Sequence, residues 1–214
     1  MADTRARRIP ITATLAITVF TALVWLLTLV IGGTERASAV MGFIPARFSG
    51  FIDLSPAVPA LLTPLSTTLV HDGFIHLLFN MLMLLWCGTA VERGLGKGSL
   101  LLLYVVGAYT AAIAQWATAP SSMIPVIGAS GAVSTIIGAF ALSYGQSEQI
   151  VRSPGLNRFL NAMWLLAAWI VMQVMVGWLA GGQGVMLAIP AHIGGFVAGL
   201  LLQRPLLLWR YRSA

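Results

Sequence analysis

Charge is what this chain has least of. Of its 214 residues only 8% are charged, where a soluble domain of ordinary composition carries about a quarter. Hydrophobic residues make up 58% and the mean hydropathy is +0.91. That balance excludes a water-soluble domain and points to an all-α integral membrane protein. The one cysteine, Cys87, lies in an apolar run, which excludes an internal disulfide and a thiolate metal cluster. Acidic residues number six: Asp3, Glu35, Asp53, Asp72, Glu92 and Glu148. None falls in the middle of an apolar segment, and neither a His-Glu-x-x-His motif nor a pair of buried aspartates is present. Zinc and aspartyl hydrolysis are therefore disfavoured, and neither a metal nor a cofactor is expected.

What is there in abundance is apolar sequence of lipid-crossing length. At roughly 20 residues per span, six segments read as membrane helices: residues 11–31, 73–90, 99–118, 127–144, 159–179 and 185–209. Ten of the twelve basic residues fall before the first, after the second, between the fourth and fifth, and at the close of the chain, where Arg204 in the last turns of the sixth is followed by Arg210 and Arg212. An even number of spans puts all four groups on one side, and the positive-inside rule makes that side the cytoplasm. Both termini are expected there, and only Arg36 and Arg47 lie on the other side. The formal charge of +6 is thereby explained by topology, and no nucleic-acid partner is expected. The first apolar run is long enough to span and no small-residue cleavage site follows it closely, so a cleavable signal peptide is not expected. The reading is one domain over 1–214, with a cytoplasmic tail at 1–10 and an outer loop at 32–72. That loop carries Pro45, Pro56, Pro59 and Pro64 together with Phe43, Ile44, Phe48, Phe51 and Ile52. It reads as a segment lying in the membrane interface. The compact six-span form points to a bacterial inner membrane.

Polar residues at membrane depth are costly and call for a functional explanation. The second, fourth and sixth spans run in the same direction. His76 and Asn80 lie one to two turns into the second, Ser130 about a turn into the fourth, and His192 about two turns into the sixth. At about 1.5 Å per residue, all four come roughly 5–10 Å below the outer helix ends. His76 and Asn80, four apart, share a face. His71 is expected to cap the helix mouth or to pack against the outer loop rather than join them. Gly128-Ala129-Ser130-Gly131 offers a hydroxyl with free amides near a helix start, suited to an oxyanion. Small residues at helical spacing, Gly131, Ser134 and Gly138 against Ala191, Gly195 and Gly199, would let the fourth and sixth spans pack closely. Such packing would bring Ser130 to His192. With no acidic residue after Glu148, a Ser–His dyad is favoured over a triad. Each motif alone has a plainer reading: a glycine-flanked serine as packing, His192 as a buried imidazole on a carbonyl, His76 and Asn80 as interhelical glue. Their common depth favours chemistry. The tryptophans, Trp164, Trp169 and Trp178 among them, read as interface anchors or packing, and Gln115 and Gln173 carry no assigned role.

At these residues the chain resembles the rhomboid family of intramembrane serine proteases. Gly128 to Gly131 is similar to the family's nucleophile motif, and Ala191-His192 with Gly195 and Gly199 to its base motif. His71, His76 and Asn80 match its His-x4-His-x3-Asn, and Val91-Glu92-Arg93 with Gly94 and Gly96 the connection that follows. The resemblance implies a six-helix bundle with a membrane-embedded first outer loop. It implies Ser130 as nucleophile, His192 as base and an oxyanion hole of His76, Asn80 and the Ser130 amide. Transmembrane segments of other membrane proteins would be cleaved through an acyl-enzyme; the oligomeric state is not specified. The alternative is a non-catalytic relative that binds or extracts transmembrane clients. Two positions depart from the family's pattern. Residues Ala60 to Thr63 hold no Trp-Arg pair to anchor the outer loop, and Ser134 stands where a tyrosine supports the histidine ring.

Overall fold

A computed structural model of the chain describes residues 12–144, 149, 151–179 and 188–212. Among them, every regular element is helical: α1 (Ala13–Ile31), α2 (Gly33–Met41), α3 (Pro45–Phe48), α4 (Thr63–Ser66), α5 (Gly73–Met83), α6 (Thr89–Leu95), α7 (Lys97–Thr118), α8 (Ser130–Tyr144), α9 (Pro154–Leu179) and α10 (Ile189–Arg210). A π-helical turn, Leu84–Gly88, joins α5 to α6 so that they form one rod. The second span therefore runs five residues past its expected end.

Five helical stretches are long and apolar enough to cross a membrane: α1, Gly73–Leu95, α7, α9 over Pro154–Met175, and α10. The helix bearing Ser130 has only 15 residues, or about 22 Å, less than the ~30 Å of a bilayer's hydrocarbon core. It is tolerated because it is enclosed. Eleven of its side chains are buried, Ala132 through Ala139 without a break, between α7, α10, α9 and the α5–α6 rod. The helix begins at Ser130, not at residue 127, and α10 begins at Ile189; the expected start of the sixth span at residue 185 lies outside the described residues.

Small residues set the closeness of α8 and α10. A methyl group on Gly199 would collide with the Thr135 carbonyl, one on Gly195 with the Gly131 carbonyl, and one on Gly138 with the Phe196 carbonyl. Thr135 Oγ1 also donates to the Gly195 carbonyl at 2.8 Å. Two members of the expected small-residue face point elsewhere: a methyl on Gly131 would meet Ala111 of α7, and Ser134 faces α9. Helical spacing left these directions open, because α8 is surrounded and every face of it is packed.

Glu92 orders the opposite end of the bundle. Its carboxylate accepts from the Ala13 and Thr14 amides at 2.8 and 2.9 Å and from the Thr14 hydroxyl at 2.6 Å. Amides at a helix start have no intrahelical acceptors and carry the positive end of the dipole, so a carboxylate there satisfies both. The start of α1 is thus tied to the end of α6.

The outer loop is built rather than free. Phe43 and Ile44 are buried, Phe48 is partly buried and Phe51 is exposed. Phe43 pairs with Val126 through hydrogen bonds of 3.1 and 2.8 Å, and the Ala46 amide donates to the Ser122 carbonyl at 2.9 Å. Trp116 Nε1 donates to Ser49 Oγ at 2.8 Å, and its ring meets Phe48 edge-on. These bonds anchor the loop to α7 and to the 119–126 connection, supplying a hold in the absence of a Trp-Arg pair.

Candidate active site

Gly128 is where the site starts. Its φ of 111° lies in the left-handed region, which a side chain would make strained, and its amide donates to the Thr67 carbonyl at 3.1 Å. The kink ends the extended outer connection and allows α8 to begin at the next residue but one. Ser130 therefore occupies the first helical position rather than a position one turn in. The first bond of α8 runs from the Val133 amide to the Ala129 carbonyl at 2.9 Å, so the amides before it, Ser130 among them, have no intrahelical acceptor.

Ser130 and His192 are brought together. His192 Nε2 lies 2.8 Å from Ser130 Oγ, and both residues are buried, at 4% and 7% exposure. His192 is one turn into α10, because that helix starts four residues later than its apolar sequence. Among the described residues Nδ1 of His192 has no hydrogen-bond partner. Among the described residues no carboxylate is bonded to this ring.

His76 lies beside this place from α5, with Asn80 one turn further along the same helix. The Asp72 amide donates to His76 Nδ1 at 3.3 Å, which assigns the ring proton to Nε2 and makes that nitrogen a donor. A side chain at 128 would collide with this ring: the point its Cβ would occupy is 2.8 Å from His76 Cε1, 2.9 Å from Nε2 and 3.7 Å from Ser130 Oγ. Glycine thus lets the His76 ring lie against the turn, beside the nucleophile. Asn80 is fully buried, its Nδ2 donating to the His76 carbonyl at 2.9 Å and its Oδ1 unpartnered among the described residues. One Nδ2 hydrogen serves that bond, and the amide keeps a second. A cavity of about 20 Å³, lined by Ser130, Gly131 and Ala191 among others, adjoins the serine. That is room for about one water molecule.

Two residues stand closer to the site than sequence reasoning placed them. His71 packs edge-on against His76 with ring centroids 5.1 Å apart, and its Nε2 accepts from the Ala129 amide at 3.3 Å. It is fully buried, so it braces the loop carrying the serine instead of merely capping a helix mouth. Burial, with His76 adding to it and the Leu69 backbone opposing, pushes its pKa down to about 3, leaving the imidazole neutral and able to accept. The other residue is Trp169 of α9, at 2% exposure. Its ring lies 6.4 Å from that of His192 at 65°, while Trp164 and Trp178 of the same helix are 72% and 76% exposed. Composition treats the three tryptophans alike; the serine at 134, a polar group that needs a partner once buried, is the one sequence feature that could have singled out a nearby donor.

Among the described residues no group of three His, Cys, Asp or Glu side chains converges.

Residues 60–209 match the Rhomboid domain. The chain is 32% identical over 140 residues to the protein named Rhomboid protease GluP of Bacillus subtilis, covering 65% of this chain and 24% of that one. It is 31% identical over 139 residues to RHOMBOID-like protein 5 of Arabidopsis thaliana, covering 65% and 42%. With Rhomboid protease GlpG of Serratia proteamaculans the identity is 30% over 139 residues, covering 64% and 45%. The chain thus spans less than half the length of each of these relatives.

Proposed function

This chain belongs to the rhomboid family, and from that membership we propose that it is an intramembrane serine endopeptidase working through a Ser130–His192 dyad. The observation that carries the reading is the 2.8 Å contact between His192 Nε2 and Ser130 Oγ inside a bundle of apolar helices. A serine hydroxyl is a weak nucleophile unless a base takes its proton as it attacks. His192 Nε2 is in reach of that proton.

The steps follow from the atoms. Ser130 Oγ forms a bond to the scissile carbonyl carbon while its proton passes to His192 Nε2. The carbonyl oxygen becomes an oxyanion, with His76 Nε2–H, the Ser130 amide and the second Nδ2 hydrogen of Asn80 as its donors. Collapse of the tetrahedral intermediate breaks the C–N bond, and His192 returns the proton to the leaving amine. Water then attacks the acyl ester, with His192 again the base, releasing the new carboxylate and Ser130 Oγ–H. The cavity beside Ser130 has space for that water.

The substrates would be transmembrane segments of other membrane proteins. A helix hides its carbonyls, so cleavage is expected where small or helix-breaking residues let it unwind. The outer loop would lie sideways in the interface, with both termini cytoplasmic and the site open to the outer side of a bacterial inner membrane. The test is a serine-reactive fluorophosphonate probe on the purified full chain. Labelling is expected for the parent and is lost in Ser130→Ala and His192→Ala, both of which still insert. A Ser130→Ala chain that labels like the parent would refute the assignment and favour a client-binding role.

A further inference from the structure

Trp169 does two things at once. Its indole N–H donates to Ser134 Oγ at 2.8 Å, and Ser134 Oγ in turn donates to the Ser130 carbonyl at 2.7 Å. Its ring meanwhile stands edge-on to His192. A single side chain from α9 is therefore bonded, through one serine, to the backbone of one dyad member and packed against the ring of the other.

His192 needs such a hold. The torsion that turns an imidazole about its Cβ–Cγ bond is broad and two-fold, with no staggered well to fix it. In most histidine bases a hydrogen bond at the second ring nitrogen supplies the constraint. Here Nδ1 has no partner among the described residues. Contact from the side is what remains, and the contacting ring must itself be fixed. The bond to Ser134 fixes it: a buried indole N–H pays heavily for losing its acceptor.

We propose that Trp169 is a positioning residue for the dyad, clamping the His192 ring in the plane that reaches Ser130 Oγ, with Ser134 as the anchor that holds the clamp. The inference rests on the hydrolase reading above. It also ties α9 to the chemistry. That helix exposes most of its length, and Trp169 is one of only a few of its described side chains that are buried, with Asn157, Ala162 and Gln173. A shift of α9 away from α8 would break the indole bond and free the ring of the base in the same movement.

The test separates the rate of reaction from binding. Fluorophosphonate labelling of the full chain in detergent yields a maximal inactivation rate and a half-saturating probe concentration. Trp169→Ala is expected to lower the maximal rate about tenfold or more, with the half-saturating concentration little changed, since misplacement of a reacting group acts on the barrier. Trp169→Phe keeps a ring but loses the donor, and Ser134→Ala loses the acceptor; each is expected to cost about three- to tenfold. Because both cut the same bond, the double variant should be no slower than either single one. If Trp169→Ala fails to fold, that trio decides the matter. Multiplying effects in the double variant, or Trp169→Ala labelling as fast as the parent through Ser130, would overturn the positioning role alone. Labelling of the parent that does not depend on Ser130 would remove the hydrolase reading and the clamp together.

Discussion

At the scale of single residues, the site depends on a side chain that is missing. Gly128 combines a left-handed backbone with close approach to the His76 ring, beside Ser130 Oγ. Gly128→Ala would strain the turn and drive a methyl group into that ring, displacing a proposed oxyanion donor. Loss of one oxyanion donor costs about 10²–10³-fold in turnover, and displacing His76 should cost about as much. The expected outcome is a protein that inserts and survives detergent extraction but labels about 100-fold more slowly with fluorophosphonate. Near-parental labelling would show that His76 is not a donor to the reacting oxygen. His71 shows the same economy of function. A neutral imidazole braces the Ala129 amide, and its sequence spacing alone, about 140° round from His76 on an ideal helix, points it away. It reaches the site because α5 begins only at Gly73, so residues 71 and 76 do not share a helix.

At the scale of elements, the pairing of α8 with α10 decides whether the hydroxyl and the imidazole meet. Their contact is backbone against backbone at Gly138, Gly195 and Gly199. Ordinary overpacking of a core costs about 1–3 kcal/mol because flexible side chains give way; a carbonyl cannot. Gly199→Val is therefore expected to lower thermal stability in detergent by more than that range and to abolish Ser130 labelling in whatever folds. Gly155→Ala, where a methyl meets nothing within 4 Å, should change neither. Similar losses in both variants would mean that helix propensity, not helix separation, is being measured. The short α8 belongs to this scale as well. It tolerates fifteen residues where its neighbours need about twenty because they, and not lipid, surround it.

At the scale of the whole molecule, charge is what predicts the topology. The basic residues of α6, α7 and the end of α10 gather at one end, where Glu92 binds the start of α1 and a cavity of about 360 Å³ is lined by Lys97, Arg210 and Arg212. Arg36 and Arg47 lie in the outer loop. A green fluorescent protein fused after the last residue is expected to fluoresce, and an alkaline phosphatase at the same position to be inactive, as for a cytoplasmic end. The reverse pattern would invert the molecule and put the dyad near the cytoplasmic face.

Across that whole, membership of an all-α membrane class, the order of the apolar segments, and the candidate residues for chemistry were legible in the sequence alone. Apolar length and the cost of polar groups in lipid are properties of short stretches, and neither needs a partner to be read. Tertiary packing decided the rest. Helical periodicity states which residues share a face but not what that face meets, so the turning of Ser134 toward Trp169, of Gly131 toward α7 and of His71 under the serine loop could arise only when neighbouring helices took their places. The helix start at Ser130 was settled in the same way, by a glycine turn and the packing around it, where hydrophobicity continues without a break, whereas α10 starts at Ile189 with Pro190 in its first turn.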